Sequence, residues 1–280
     1  MIEMSDLMQL VEPVAFCFSL FVMLGVVLAS FVSASELTEN FITIVYNNVP
    51  GDTLTNVQTA LGISAYITFN GKRILFDVGA ETSILLKNIG ALGLNVEQIE
   101  AIVISHNHWD HVYGLPGVTA YAENPPKLYV PSSSEEAILA QNPSAEVIPI
   151  HGPMQILRGI WSTGPIRTIY KNRPLSEQAL VISNDEGLYI VTGCAHVGII
   201  NIIEHARQMF AERPIVLVAG GLHLVNATER EIRDIVAGLK QRGVRKIAPS
   251  HCTGCLATGI FKQEWGADYV RLYLGHTYHF

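Results

Sequence analysis

Four side chains able to bind a metal, His106, His108, Asp110 and His111, fall within six positions directly after the apolar run 101–104. That run, Ala-Ile-Val-Ile, is short and rich in β-branched residues, which predicts a buried strand. Side chains on an extended backbone alternate, so His106 and His108 project to one side of the strand end and Asn107 and Trp109 to the other. Asp110 and His111 follow as the chain turns and approach the same point from another direction. Such crowding is costly unless a cation holds the groups together, and neutral imidazole and carboxylate are ordinary ligands of zinc and of other borderline metals. The cluster also lies at the carboxyl end of a core strand, where open α/β architectures place their sites.

The later chain repeats the device. Strands are expected at 178–183 and 187–192 (a hairpin across 184–186), 215–219 and 246–249, with helices at 199–210 and 228–241 between them. The last three of these strands run into Gly193-Cys194-Ala195-His196, Gly220-Gly221-Leu222-His223 and Ser250-His251-Cys252. One histidine at a strand end is unremarkable; three at equivalent strand ends, each beside small residues that allow close backbone approach, point to a common centre. His205 falls mid-helix beside Glu204 and Arg207 and reads as a surface residue.

His106-Asn107-His108-Trp109-Asp110-His111 resembles the H-x-H-x-D-H motif of the metallo-β-lactamase fold superfamily, and further matches in order extend the resemblance over most of the chain after about residue 40. It implies an α/β fold, a four-layer α/β/β/α sandwich of two mixed sheets, with a metal site, often dinuclear, at the edge between the sheets. It also implies that Asp77, in Asp77-Val78-Gly79 after a strand at 73–76, accepts a histidine N–H and steadies the site. Gly-Cys-Ala-His-x-Gly, Gly-Gly-x-His-Leu and His-Cys-Thr-Gly resemble one subgroup, which includes the dihydropterin-methyl ribofuranosylaminobenzene phosphate synthase of methanopterin assembly. One departure stands out. Where superfamily hydrolases carry Gly-Asp, with an Asp that bridges two metals and a ligand histidine upstream, this chain has Gly193-Cys194, and 172–178 holds no histidine. Either Cys194 bridges as thiolate or His196 is the missing ligand.

Other segments complete the outline. Strands are expected at 41–46, 65–69 and 73–76, the last two joined by an Asn70-Gly71 hairpin turn, and a helix at 81–94 with Ile84, Leu85, Ile89 and Leu92 on one face. Strand candidates at 128–130, 146–150 and 155–161 lie in a proline-rich, irregular middle region. Residues 14–32 are an apolar run long enough to cross a bilayer, followed by small residues that suit a signal-peptidase site. Residues 1–37 are therefore read as a signal peptide or N-terminal membrane anchor and 38–280 as the metallo-β-lactamase-like domain; the product would be exported or membrane-attached, or cytoplasmic if the start codon is mis-assigned. No Lys or Arg precedes Lys72, so the basic flank that would orient such a segment is missing.

A formal net charge of −7 without a long basic run disfavours nucleic acid as an obligate partner and leaves a small-molecule substrate as the expectation. Four cysteines are too few for a disulfide scaffold, and Cys252-x-x-Cys255 stands open as a redox pair, half a metal site or a small disulfide. There is no Gly-x-Ser-x-Gly elbow, P-loop or dinucleotide fingerprint. The expected cofactor is one or two Zn2+ ions, with Mn2+ or Fe2+ as alternatives, which would bring bound water to a pKa of about 7 and make hydroxide available. The expected ligands are His106, His108 and His196 for one ion and Asp110, His111 and His251 for the other, with Asp110 also handling the nucleophile's proton and His223 meeting the substrate anion or leaving group. The reaction classes left are a metal-dependent hydrolase of an ester, lactone, amide or phosphoester, a C–N bond-forming transferase of the synthase type, and a non-catalytic metal-binding or sensor protein.

Overall fold

Two extended sheets stack face to face because both carry strands that are apolar on each side. A computed structural model describes residues 39–51, 56–121 and 124–280. The 14–32 segment lies outside the described residues, and among those described no helix is long and apolar enough to cross a membrane.

The first sheet contains β1 (Phe41–Asn47), β2 (Ile63–Phe69), β3 (Lys72–Phe76), β4 (Ala101–Val103), β5 (Lys127–Pro131) and β6 (Val147–Ile150), in that spatial order. The first three are antiparallel and β3 to β6 run parallel. Their crossovers carry α1 (Thr82–Ala91), α2 (Trp109–Val112), α3 (Leu115–Tyr121) and α4 (Glu135–Gln141). The second sheet is built from β7 (Met154–Leu157) and β8 (Ile160–Ser162), then, beyond a separate two-stranded ladder of β9 (Ile166–Tyr170) and β10 (Arg173–Glu177), β11 (Leu180–Asn184), β12 (Gly187–Thr192), β13 (Ile215–Gly221) and β14 (Lys246–Ser250). Helices α5 (Ile199–Met209) and α6 (Glu229–Gln241) make the crossovers of its parallel half, α7 (Cys255–Trp265) follows β14, and β15 (Thr277–His279) returns to pair with β1.

The period-2 alternation sorts the layers. Ala101 and Val103 face the partner sheet, where Leu180, Tyr189 and Val191 meet them, whereas Ile102 between them faces the helices and packs with Leu85, Val118 and Ile138. On the far side Ile202, Ile203, Val236 and Phe261 cover Ile190, Val218 and Ile247. The result is the α/β/β/α order that the motif resemblance implies.

Several expectations need correction. Residues 155–161 are not one strand: Gly159 at φ +80° makes a turn between β7 and β8, and a Cβ there would lie 2.4 Å from the Phe69 ring. The middle region is more regular than its prolines suggest, since Pro116 and the acidic pair Glu135 and Glu136 sit in first helical turns, which tolerate or favour them. The β9–β10 hairpin, α7 and β15 have no counterpart among the expected elements.

What matters for function is that the carboxyl ends of β3, β4, β12, β13 and β14 converge. Gln178 locks the two sheets there: its amide donates to the Ile104 carbonyl at 2.7 Å and accepts from Ser162, and its backbone N–H reaches the Ser105 carbonyl at 2.9 Å. Replacing Gln178 by Ala leaves the buried Ser162 hydroxyl hydrogen and the Ile104 carbonyl without their partner. A loss of about 1–3 kcal/mol is expected, read as a lower urea midpoint with an unchanged slope.

Candidate metal centre

The centre starts from a buried carboxylate. As β3 ends, Asp77 takes a left-handed φ of +58°, and its side chain turns inward with no exposure. Oδ1 accepts the Ser105 N–H at 2.7 Å; Oδ2 accepts the Ser105 hydroxyl and the His111 Nδ1–H, each at 2.7 Å. The Ser105 hydroxyl has one hydrogen and spends it on Asp77, so toward His106 Nδ1, 2.9 Å away, it can only accept. In their neutral forms both His106 and His111 therefore carry the proton on Nδ1 and turn the Nε2 lone pair toward the cleft.

Two trios of donors form from these rings. In one, His106 Nε2 and His196 Nε2 lie 2.9 and 3.2 Å from His108 Nδ1. In the other, Asp110 Oδ2 is 3.7 Å from His111 Nε2 and 3.5 Å from His251 Nε2, while Asn48 Oδ1 accepts the His251 Nδ1–H at 2.7 Å. Within each trio the donor atoms all lie within 4.8 Å of one another. Cys194 Sγ stands between the trios, 3.3 Å from His111 Nε2 and grouped with His106 as well. Every residue expected as a ligand, namely His106, His108, Asp110, His111, His196, His251 and Cys194, is thus brought to one place. His223 joins the edge, its ring 4.1 Å from His196 and 5.2 Å from Tyr170. His205 lies on the exposed face of α5, bonded to the Asn201 carbonyl.

Sequence reasoning passed over four residues. Glu177, fully buried at the end of β10, accepts the N–H groups of Cys194, Ala195 and His196 at 3.0, 2.7 and 2.6 Å. It holds the turn in which Ala195 takes φ +58° and sends Cys194 and His196 to the site. Burial pushes its carboxyl up to about 7 despite these three bonds. Asn48 orients His251, and Tyr170 and Lys171 line the cleft beside His108 and His196. A lone acid in the stretch Leu-Ser-Glu-Gln carries no motif; the only available signal is that it precedes the expected strand 178–183 by one residue.

The donor chemistry fits a cation. Three ring nitrogens cannot satisfy one another with hydrogens alone, and His251 Nε2 and His196 Nδ1 are buried without a hydrogen-bond partner. Burial, with neighbouring imidazoles, lowers the proton affinity of His106 and His108 and takes His196 down to about 2, so these rings offer lone pairs. His111 goes the other way: burial opposes its charge, but the Asp77 carboxylate outweighs it and raises the pKa to about 9. The same carboxylate makes Nε2 a stronger base toward a metal.

A protein-family model described as anti-Pycsar protein Apyc1 matches residues 54–146. The chain is 27% identical over 260 residues to the 7,8-dihydropterin-6-methyl-4-(beta-D-ribofuranosyl)-aminobenzene-5'-phosphate synthase of Methanocaldococcus jannaschii, covering 78% of this chain and 88% of the relative. A second protein of that organism, the uncharacterized protein MJ0448, is 30% identical over 224 residues, 69% of this chain and 84% of its own. Among solved structures, Tm1679, a metal-dependent hydrolase of the beta-lactamase superfamily, superposes with a TM-score of 0.70 at 24% identity, covering 85% of this chain and 98% of that one. The chain belongs to one family with MJ0448 and has the fold of the beta-lactamase superfamily hydrolase Tm1679.

Two outcomes test the centre. In Asp77→Asn the amide presents hydrogens to donors, so metal affinity falls about 10–100-fold by elemental analysis and chelator competition, while His205→Ala, remote from the centre on α5, binds as the unaltered protein does. Because His111 keeps its proton until about pH 9, an ion must displace it. Apparent affinity should therefore rise at least about tenfold per pH unit between 7 and 9, with proton release visible by calorimetry in buffers of different ionisation enthalpy.

Proposed function

We propose that the protein is a metal-dependent hydrolase of small-molecule phosphoesters. The observation that carries the substrate class is the placement of Lys171 and Arg173 on the rim of an open cleft of about 910 Å3 whose floor holds the metal ligands. Lys171 and Asn172 take φ values of +47° and +60°, a tight turn that lifts the hairpin tip over the site. Neither cation has an ion-pair partner among the described residues, so both charges are free to meet a ligand in the cleft. The Lys171 charge also depresses the proton affinity of His108, so the field reaches the floor. In a chain of net charge −7, two unpaired cations at a cleft suit an anionic substrate.

His106, His108 and His196 would hold one ion and Asp110, His111 and His251 the second, with Cys194 between. A divalent ion there supplies an activated water near neutral pH and a Lewis acid for a substrate oxygen. The chain's own groups do the rest. Asp110, one-fifth exposed to the cleft, receives the proton of the attacking water. Lys171 and Arg173 bind the phosphoryl oxygens and hold the ester over the floor. The Tyr170 ring, packed on His196 at 4.3 Å, walls the cleft and offers a face to an organic group. His223 on the same wall is placed to donate a hydrogen bond to the substrate's oxygens.

A second reading, C–N bond-forming transfer, is supported by the 27% identity to the synthase, whose name specifies a 5'-phosphate; the same cations would serve that phosphate.

The test is turnover of p-nitrophenyl phosphate, bis(p-nitrophenyl) phosphate and p-nitrophenyl acetate by protein loaded with Zn2+ or Mn2+. Phosphoester hydrolysis is expected, lost on chelation and absent in His108→Ala. Lys171→Ala should raise KM for the phosphoester about tenfold and leave that for the acetate unchanged. Turnover of acetate alone would overturn the substrate class; a metal-replete protein that hydrolyses none of the three would favour the transferase.

A further inference from the structure

The two thiols of Cys252-x-x-Cys255 are both free and lie in different surroundings. Cys255 opens α7 and is exposed, while Cys252 is half-buried on the cleft wall with its thiol 3.7 Å from the Cys194 carbonyl. The two sulfurs of Cys194 and Cys252, with a ring nitrogen of His223, lie within 4.8 Å of one another. All the described cysteines are free thiols.

The topology explains this approach. β13 runs between β12 and β14, with Thr192 paired to Gly220 and Gly221 to Ser250. Gly221 therefore ends its strand between the loop that bears Cys194 and the loop that bears Cys252. A Cβ at Gly221 would lie 2.7 Å from Cys252 Sγ and 3.2 Å from Cys194 Cα. The missing side chain leaves open the path from one sulfur to the other, across a separation of no more than 4.8 Å.

We propose that Cys194 and Cys252 are a reversible oxidation site, joined by a peroxide into a disulfide that excludes Cys194 from the metal centre. Cys252 lines the open cleft, which admits the oxidant, and a ring nitrogen of His223 lies within 4.8 Å of its sulfur. Its sulfur attacks one peroxide oxygen; the S–O bond forms, the O–O bond breaks, and the other oxygen leaves and takes up the proton. Cys194 sulfur then attacks the sulfenic acid; the S–S bond forms, the S–O bond breaks and water departs with the remaining proton. The two sulfurs supply two electrons, and hydrogen peroxide is reduced to two waters. Since Cys194 Sγ also sits 3.3 Å from His111 Nε2, the same sulfur cannot both stand between the two trios and bond to Cys252. Disulfide and full metal loading are alternatives.

The test uses the full chain, chelated or loaded with Zn2+, treated with hydrogen peroxide and mapped by mass spectrometry without reduction. The expected product is a Cys194–Cys252 cross-linked peptide, formed about tenfold or more faster in the chelated protein, retained in Cys255→Ser, absent in Cys252→Ser, and reversed by dithiothreitol with recovery of bound zinc. Mapping to Cys252–Cys255, or sulfinic acid on Cys252 beside an unmodified Cys194, would overturn the pairing. Equal rates with and without zinc would overturn the exclusion. None of these readouts depends on turnover, so they stand or fall separately from the phosphoester reading.

Discussion

A carboxylate with no solvent contact is the constraint around which the site is arranged. Burying the charge of Asp77 costs several kcal/mol unless it is fully paired, and its partners come from two places: Ser105 at the end of β4, and His111 in the helix that follows. Satisfying the acid therefore docks the ends of two neighbouring parallel strands against each other and aims two imidazoles by their back nitrogens. The left-handed backbone of Asp77 is the conformational cost of turning that side chain inward, and Ala195, His223 and His251 carry the same strain at three other strand ends of the site. Four left-handed residues gathered at the ends of four strands mark the place where packing has been subordinated to ligand geometry.

The second constraint is the seam between sheets. Glu177 and Gln178 are adjacent, and on successive residues of an extended chain they point in different directions. Gln178 ties its sheet to the carbonyl end of β4, while Glu177 gathers three N–H groups of the turn after β12. Two neighbouring polar residues thereby fix both the distance between the sheets and the orientation of the turn that delivers Cys194 and His196. The second trio is tied across the sheets in a similar way, by Asn48 from the end of β1 on His251 after β14.

How much of this was legible follows from the kind of signal each feature leaves. The H-x-H-x-D-H run and the three strand-end histidines are dense in rare residue types and sit beside buried, strongly patterned strands, so the residues now found together could be named from the chain alone. The four-layer order was legible for the same reason: β2, β12 and β13 are buried along their whole length. The β9–β10 hairpin was not, because its pattern is a mixture of buried and exposed residues, as a ladder detached from both sheets would give. Its contribution to the cleft, Tyr170 and Lys171, was hidden with it. Glu177 and Asn48 are single residues whose role exists only once distant segments meet, and no periodicity or spacing announces such a role. The Cys-x-x-Cys spacing names two neighbours in sequence, whereas the approach of Cys252 to Cys194 is set by strand order and leaves no trace in the spacing.

The two trios share a supporting logic that neither motif nor fold alone supplies. Behind the Asp110, His111 and His251 set stands Asp77, bonded to His111 Nδ1 at 2.7 Å; behind the His106, His108 and His196 set stands Glu177, with an oxygen 3.8 Å from His106 Nδ1. Each trio therefore has one buried carboxylate on its protein side. With no cation present the two acids are compensated differently: His111 carries a proton up to about 9 beside Asp77, and Glu177 itself holds a proton up to about 7. Bringing a divalent charge to either trio reverses both preferences, releasing the His111 proton at one and favouring ionised Glu177 at the other. The buried acids thus keep the centre close to neutral in both states, which is what allows ten or so polar groups to be packed between two apolar sheets without unfolding them.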